Sequence, residues 1–180
     1  MARKCSKVVR SDTYYWKWII IALHNAMQTF MVLALKGSNG LAVLRKKSAE
    51  EWLIAYESGL DTPETKLDSF LSLFKKIKNK YILQYGMSKK FKCNSKINNS
   101  VKRINNEFRN FFVHYQPGLW SIELVGLPEI LLNCTTIIQF CGWESGNVFW
   151  SDKKLERKAK DELRKLRKNL SILKKTYASS

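Results

Sequence analysis

Histidine is nearly absent from this 180-residue chain: only His24 and His114 occur. The four cysteines (Cys5, Cys93, Cys134, Cys141) include no C-x-x-C pair. With so few histidines, no zinc-finger or zinc-ribbon ligand pattern can be completed. The sequence therefore asks for no metal and no cofactor, and the cysteines read as reduced thiols of a cytoplasmic protein. Proline and glycine are also sparse, at three and eight residues, which leaves room for long helices. No internal repeat or low-complexity tract occurs. Acidic residues are few, with 15 Asp and Glu against 32 Lys and Arg.

The resulting net charge of +17 is the dominant global property. It implies a polyanionic partner, either nucleic acid or an acidic membrane surface. A hydrophobic content of 45% excludes a disordered chain and fits a globular one. A basic start precedes an apolar run, as in a targeting signal, but Lys17, His24, Asn25, Gln28 and Thr29 interrupt that run. No small-residue cleavage site follows, and the expectation is a chain without a membrane segment.

The periodicity predicts an all-α bundle of four to six helices with a basic C-terminal helix. Residues 13–36 read as a long central helix capped by Ser11 or Asp12 and ended by the Gly37 to Gly40 breaker. Its polar members Lys17, His24 and Gln28 share one stripe. Residues 47–58 form a short helix with apolar members Trp52, Leu53 and Tyr56 and a capping box of Ser48 and Glu51. A further helix starts at Thr62-Pro63-Glu64 and runs to Tyr81. A basic loop follows over residues 86–92, then helices over residues 94–116 and 127–141. The last helix, residues 151–177, carries eleven Lys or Arg against four Asp or Glu, with an apolar seam of Leu155, Leu163, Leu166, Leu170 and Leu173. Two parts are expected: a bundle over residues 10–142, and a basic amphipathic helix over 151–178 that packs on the bundle or extends from it.

The segment "RNFFVHY", Arg109 to Tyr115, carries the candidate chemistry. On a helical wheel started at Ile97, residues Val101, Ile104, Phe108, Phe111, Phe112 and Tyr115 fall within about 60° of it and form a core stripe. Arg109 falls near ~120°, Asn106 near ~180°, Asn110 near ~220°, Arg103 near ~240° and His114 near ~260°. Arg109 and His114 thus border a polar face, and two copies meeting across a two-fold axis would bring the pairs together. Histidine exchanges protons near neutrality, and arginine grips phosphate through a planar fork. The pair suffices for attack of an RNA 2′-hydroxyl on its neighbouring phosphate without metal. Asn110 would support the pair, while Asn106, Arg103, Lys102 and Lys96 would hold the substrate. Lys89, Lys90, Lys92 and Lys96 are candidate RNA-backbone contacts, and His24 reads as a packed or interface polar group.

"RNFFVH" resembles the R-x4-6-H motif of the HEPN superfamily, including the polar residue after the arginine. "INNEFRNFFVHYQPGLWSIE" and the first-helix segment "ALHNAMQTFMVLAL" are similar to segments of such proteins, and the likeness covers residues 10 to 142. The resemblance implies a HEPN-like helical bundle acting as a metal-independent endoribonuclease in toxin–antitoxin or antiphage defence. It implies a homodimer with a composite active site, an antitoxin or defence-system partner protein, and Arg109 and His114 as catalytic residues. One branch of the family carries a modified tyrosine two residues after the histidine; Gln116 stands there in this chain. Some members have lost activity, so the alternative is a non-catalytic RNA-binding or protein-interaction module.

Overall fold

The helices are dictated by where apolar side chains recur, and the central one has the most of them. The computed structural model describes residues 1–79, 89–114 and 123–178, with His114 in its backbone only. Tyr81, residues 86–88 of the basic loop, and residues 115–122, including Tyr115, Gln116 and Trp120, lie outside the described residues. Among the described residues the structure is all-α, and the one β feature is an isolated bridge between Leu44 and Leu67.

Helix α1 spans Ala2–Val8, α2 Tyr15–Leu35, α3 Lys46–Glu57 and α4 Phe70–Lys76. Helix α5, Ser95–Arg103, runs through a π-helical turn, Ile104–Arg109, directly into α6, Asn110–His114. Helix α7, Leu127–Gln139, likewise ends in a π-turn, Phe140–Glu144, and α8 spans Lys153–Ala178. Helix α1 is an addition to the six helices expected from periodicity, formed by the basic start of the chain.

Helix α2 is the hub, contacting α1, α4, α7 and the motif π-turn. It buries Trp16, Ile19, Ile20, Leu23, Met27 and Met31 almost completely. Each such side chain contributes about 1.5–3 kcal/mol relative to exposure. By length and composition α2 is the one helix among the described residues that could cross a membrane, a test that the core helix of a soluble protein also passes. Helix α8 docks through Leu163, Leu166, Leu170 and Leu173, at spacings of three and four, onto α7 and α1. Lys174 pairs with Glu129 at 3.1 Å, and Asn169 donates to Ser6 Oγ at 3.0 Å. The buried core is continuous from Cys5 to Leu173.

Three expected helix starts differ from the structure. Helix α2 has no side-chain cap; Asp12 Oδ1 instead accepts from the Tyr14 N–H at 2.9 Å, one turn early. Ser48 lies inside α3, where its hydroxyl accepts from the Lys66 N–H, while Glu51 pairs with Lys47. The capping box is therefore not formed, and Leu53 and Tyr56 are exposed rather than core. No helix starts at Thr62. Residues 61–69 are not helical, and Leu67 pairs with Leu44 in the isolated bridge, where flanking backbone groups are taken up by residues 43–48. The Arg45 N–H donates to Lys66 O, and the Asp68 N–H donates to Val43 O. Lys76 closes this arrangement with hydrogen bonds to Ala42 O and Leu44 O and an ion pair to Asp68 at 2.8 Å. Burial alone would raise the Asp68 carboxyl, yet the Lys76 and Ser69 hydrogen bonds outweigh it and lower it. Helix α4 begins only at Phe70, capped by Ser69 Oγ, which accepts from the Ser72 N–H.

Gly142 fixes how closely α2 meets the end of α7. A Cβ there would lie 2.9 Å from Phe30 Cε1, and the Gly142 carbonyl accepts from Trp150 Nε1 at 2.9 Å. Phe30, Trp143 and Trp150 pack in one aromatic group around it. Gly142→Ala should cost about 1–3 kcal/mol of stability through overpacking, read as a lower chemical-denaturation midpoint at unchanged slope. An unchanged midpoint would show that Phe30 yields freely.

Candidate functional site

The site is carried by one continuous rod, Ser95 to His114. Asn94 caps it by accepting from the Ile97 N–H at 2.9 Å. Val101, Ile104 and Phe108 are buried, as the wheel requires. The π-turn then breaks the wheel. It takes in one residue more than an α-turn, so every later position falls about 100° behind its place on a straight α-wheel. Phe111 and Phe112 are consequently half-buried rather than core, and Asn110 is half-buried rather than opposite the core. Asn106 remains exposed.

This shift brings the motif rod against the polar stripe of α2. His24 is 2% exposed and lies with its Nε2 3.1 Å from Asn105 Oδ1. Asn105 Nδ2 donates to Asn106 Oδ1 at 2.7 Å. The amide of Asn105 thus presents its oxygen to His24 and its nitrogen to Asn106, which makes Nε2 the protonated nitrogen of His24. Nδ1 has no hydrogen-bond partner among the described residues. The ring stacks on Phe70 at a centroid distance of 4.0 Å. Burial holds His24 below its ordinary pKa of 6.5, and the positive charge of Arg109 acts in the same direction. His24 is therefore a neutral imidazole at physiological pH. About two turns towards the start of α2, Lys17 sits 5.9 Å from the Phe112 ring and 5.6 Å from the Trp18 ring.

Arg109 is half-buried, and its Nη1 donates to Asn110 Oδ1 at 2.9 Å. Asn110 thus orients the guanidinium. His114 closes α6 in its backbone, and its side chain lies outside the described residues. The other expected substrate contacts are not gathered at this point. Arg103 forms an ion pair with Glu107 at 2.8 Å and stands over the Phe108 ring. Lys102 is exposed on the same turn. Lys96 is exposed near the opposite end of the rod, about 20 Å from Arg109 at 1.5 Å per residue.

Asn105 is the functional candidate that the sequence reading passed over. The wheel places it near ~80°, between the core stripe and Arg109, and Arg109 lies four residues later. That position beside a histidine stripe on the preceding long helix was the available signal. Cysteine chemistry has no place here: burial pushes the thiols of Cys134 and Cys141 well up, so both stay protonated.

The chain matches no family model, no curated protein and no solved structure.

Proposed function

We propose that this chain is a metal-independent endoribonuclease of HEPN type, cytoplasmic and homodimeric, working in toxin–antitoxin or antiphage defence. The observation that carries the reading is the guanidinium of Arg109, held by Asn110 beside the His24–Asn105–Asn106 network in a chain of net charge +17. His114, five residues on, supplies the base. In the proposed reaction His114 takes the proton of a ribose 2′-hydroxyl. The oxygen attacks the adjacent phosphorus, and the bond from phosphorus to the 5′-oxygen breaks. A 2′,3′-cyclic phosphate remains on one product, and the other leaves as a 5′-hydroxyl after gaining a proton. Arg109 neutralises the charge that builds on the phosphate oxygens.

Two copies are invoked because Arg109 and His114, five residues apart, leave a single rod about 140° apart, and Val113 between them is 47% exposed. An apolar side chain at that point suits contact with a second copy. Purified protein should cleave single-stranded RNA in EDTA and leave cyclic phosphate ends, and His114→Ala should abolish cleavage without lowering helix content. Activity retained by that variant would sink the catalytic assignment. A sedimentation experiment finding only monomer would remove the composite site. If RNA binds in a salt-dependent way but neither protein cleaves it, the chain is a binding module instead.

A further inference from the structure

A second cationic feature lies at the far end of the motif rod. The segment Lys89, Lys90, Phe91, Lys92 is pinned at both sides. The Lys89 N–H donates to Ser145 O at 3.1 Å, and the Phe91 N–H donates to Ile77 O at 3.0 Å. Phe91 is 7% exposed and packs on Phe74 and Phe140. The aromatic ring is the anchor, and the three lysines around it are held at the surface by a fixed backbone.

Two clefts open beside this anchor. One, of about 850 Å³, is lined by Lys89, Lys90, Lys92, Gln139, Glu144 and Arg167. The other, of about 530 Å³, is lined by Lys78, Lys90, Lys92 and Asn94. They share Lys90 and Lys92, so they form one continuous groove. Five cations line it against one carboxylate, Glu144, which already accepts from Gln139 at 3.0 Å. None of the five forms an ion pair among the described residues. Like charges gathered on a pinned backbone repel, and a multiply charged anion relieves that repulsion.

The geometry points to this groove as a phosphate-binding site for the backbone of single-stranded RNA, separate from the Arg109 end of the same rod. The choice of RNA rests on the ribonuclease reading above; the choice of a phosphodiester over a membrane rests on the groove itself. A membrane-seeking surface presents apolar side chains beside its cations, whereas Phe91 is turned inward. Lys96, exposed near the start of the rod, extends the cationic surface from the groove towards the motif. The groove therefore sets where along a strand the motif acts, several nucleotides from the anchored phosphates. Among the described residues the groove offers cations and amides and no exposed ring for stacking, so its grip is on the backbone.

The test compares two triple variants with the same loss of charge. One is Lys89→Gln, Lys90→Gln, Lys92→Gln; the other is Lys154→Gln, Lys158→Gln, Lys160→Gln, on exposed positions of α8 outside the groove. Binding of a labelled oligouridylate is measured by anisotropy across a salt series. The groove triple should weaken binding about tenfold or more near ~0.1 M salt and reduce the slope of log affinity against log salt by about 2, from about 0.7 per phosphate contact. The α8 triple should change the slope by less than half of that. Equal losses in the two variants would overturn the site in favour of diffuse charge. A loss of binding to phosphatidylglycerol vesicles with unchanged RNA binding would overturn it in favour of a membrane. Arg167→Gln, a single change on a separate helix, guards against misfolding of the triple and should reproduce part of the effect; no effect would count against the groove. Loss of binding in the groove triple alone, in a protein that never cleaves RNA, would uphold the groove and remove the ribonuclease reading.

Discussion

Arg109→Lys should lower RNA cleavage about 100- to 1,000-fold, a loss typical of removing one donor aimed at transition-state charge. Lysine keeps the charge but loses the planar fork, so it cannot both bond Asn110 and present two parallel N–H groups to a phosphate. In the structure Nη1 is already given to Asn110 Oδ1, which fixes the plane of the group. Arg109→Ala should lose at least as much. Because the residue is only half-buried, both variants should keep their helical circular dichroism. A second readout is independent of any activity. Burial is the main cause that lowers the His24 ring pKa and the charge of Arg109 adds to it, so Arg109→Ala should move the His24 imidazole titration upward in NMR. Cleavage undiminished in Arg109→Lys would end the catalytic role, and an unmoved His24 would separate the two side chains.

The second large effect concerns His24. Its ring is buried, stacked on Phe70 and bonded to Asn105. His24→Leu should cost about 2–4 kcal/mol, from an Asn105 oxygen left without its donor and from altered packing. The pH dependence has a definite sign. The folded-state pKa lies below the unfolded value near 6.5, so the unfolded chain binds the proton more readily. The stability associated with a neutral His24 is complete above that value and declines as pH falls below it towards the folded pKa, by at most about 1.4 kcal/mol per pH unit. Urea denaturation followed from pH 7.5 down to pH 5 should show this decline. His24→Gln, with a side-chain donor but no titration, should flatten it. An identical pH profile in the variant would mean that His24 is not buried as a neutral ring.

Much of this architecture was legible from residue spacing. The central helix, the leucine seam of α8 and the buried Val101, Ile104 and Phe108 all follow from apolar recurrence. What periodicity could not reveal was competition for backbone hydrogen bonds. Residues 62–69 carry helix-start signals, but contacts with residues 43–48 take up backbone groups of Lys66 and Asp68 instead. Those partners are close in space and unmarked in the sequence. Of the candidate site, Arg109 and Asn110 come together through a side-chain hydrogen bond, whereas the wheel sets Asn110 closer to His114. The Asn105 link to His24 was missed because it joins two helices 81 positions apart. Lys96, expected both as a substrate contact and as a member of the basic stretch with Lys89, Lys90 and Lys92, stands about 20 Å along the rod from Arg109, because each helical residue advances about 1.5 Å.

The π-turn at Ile104–Arg109 also has a bearing on kinship. It amounts to one extra residue accommodated within an otherwise regular rod. A relative lacking that residue would have an uninterrupted α-helix, and its arginine and histidine would emerge on a different azimuth from the same core positions. Aligning two such chains through their apolar phase would then require a one-residue gap inside 104–109. The interval from arginine to histidine would be identical on both sides of the comparison, while the distance from either of them back to Val101 would differ by one.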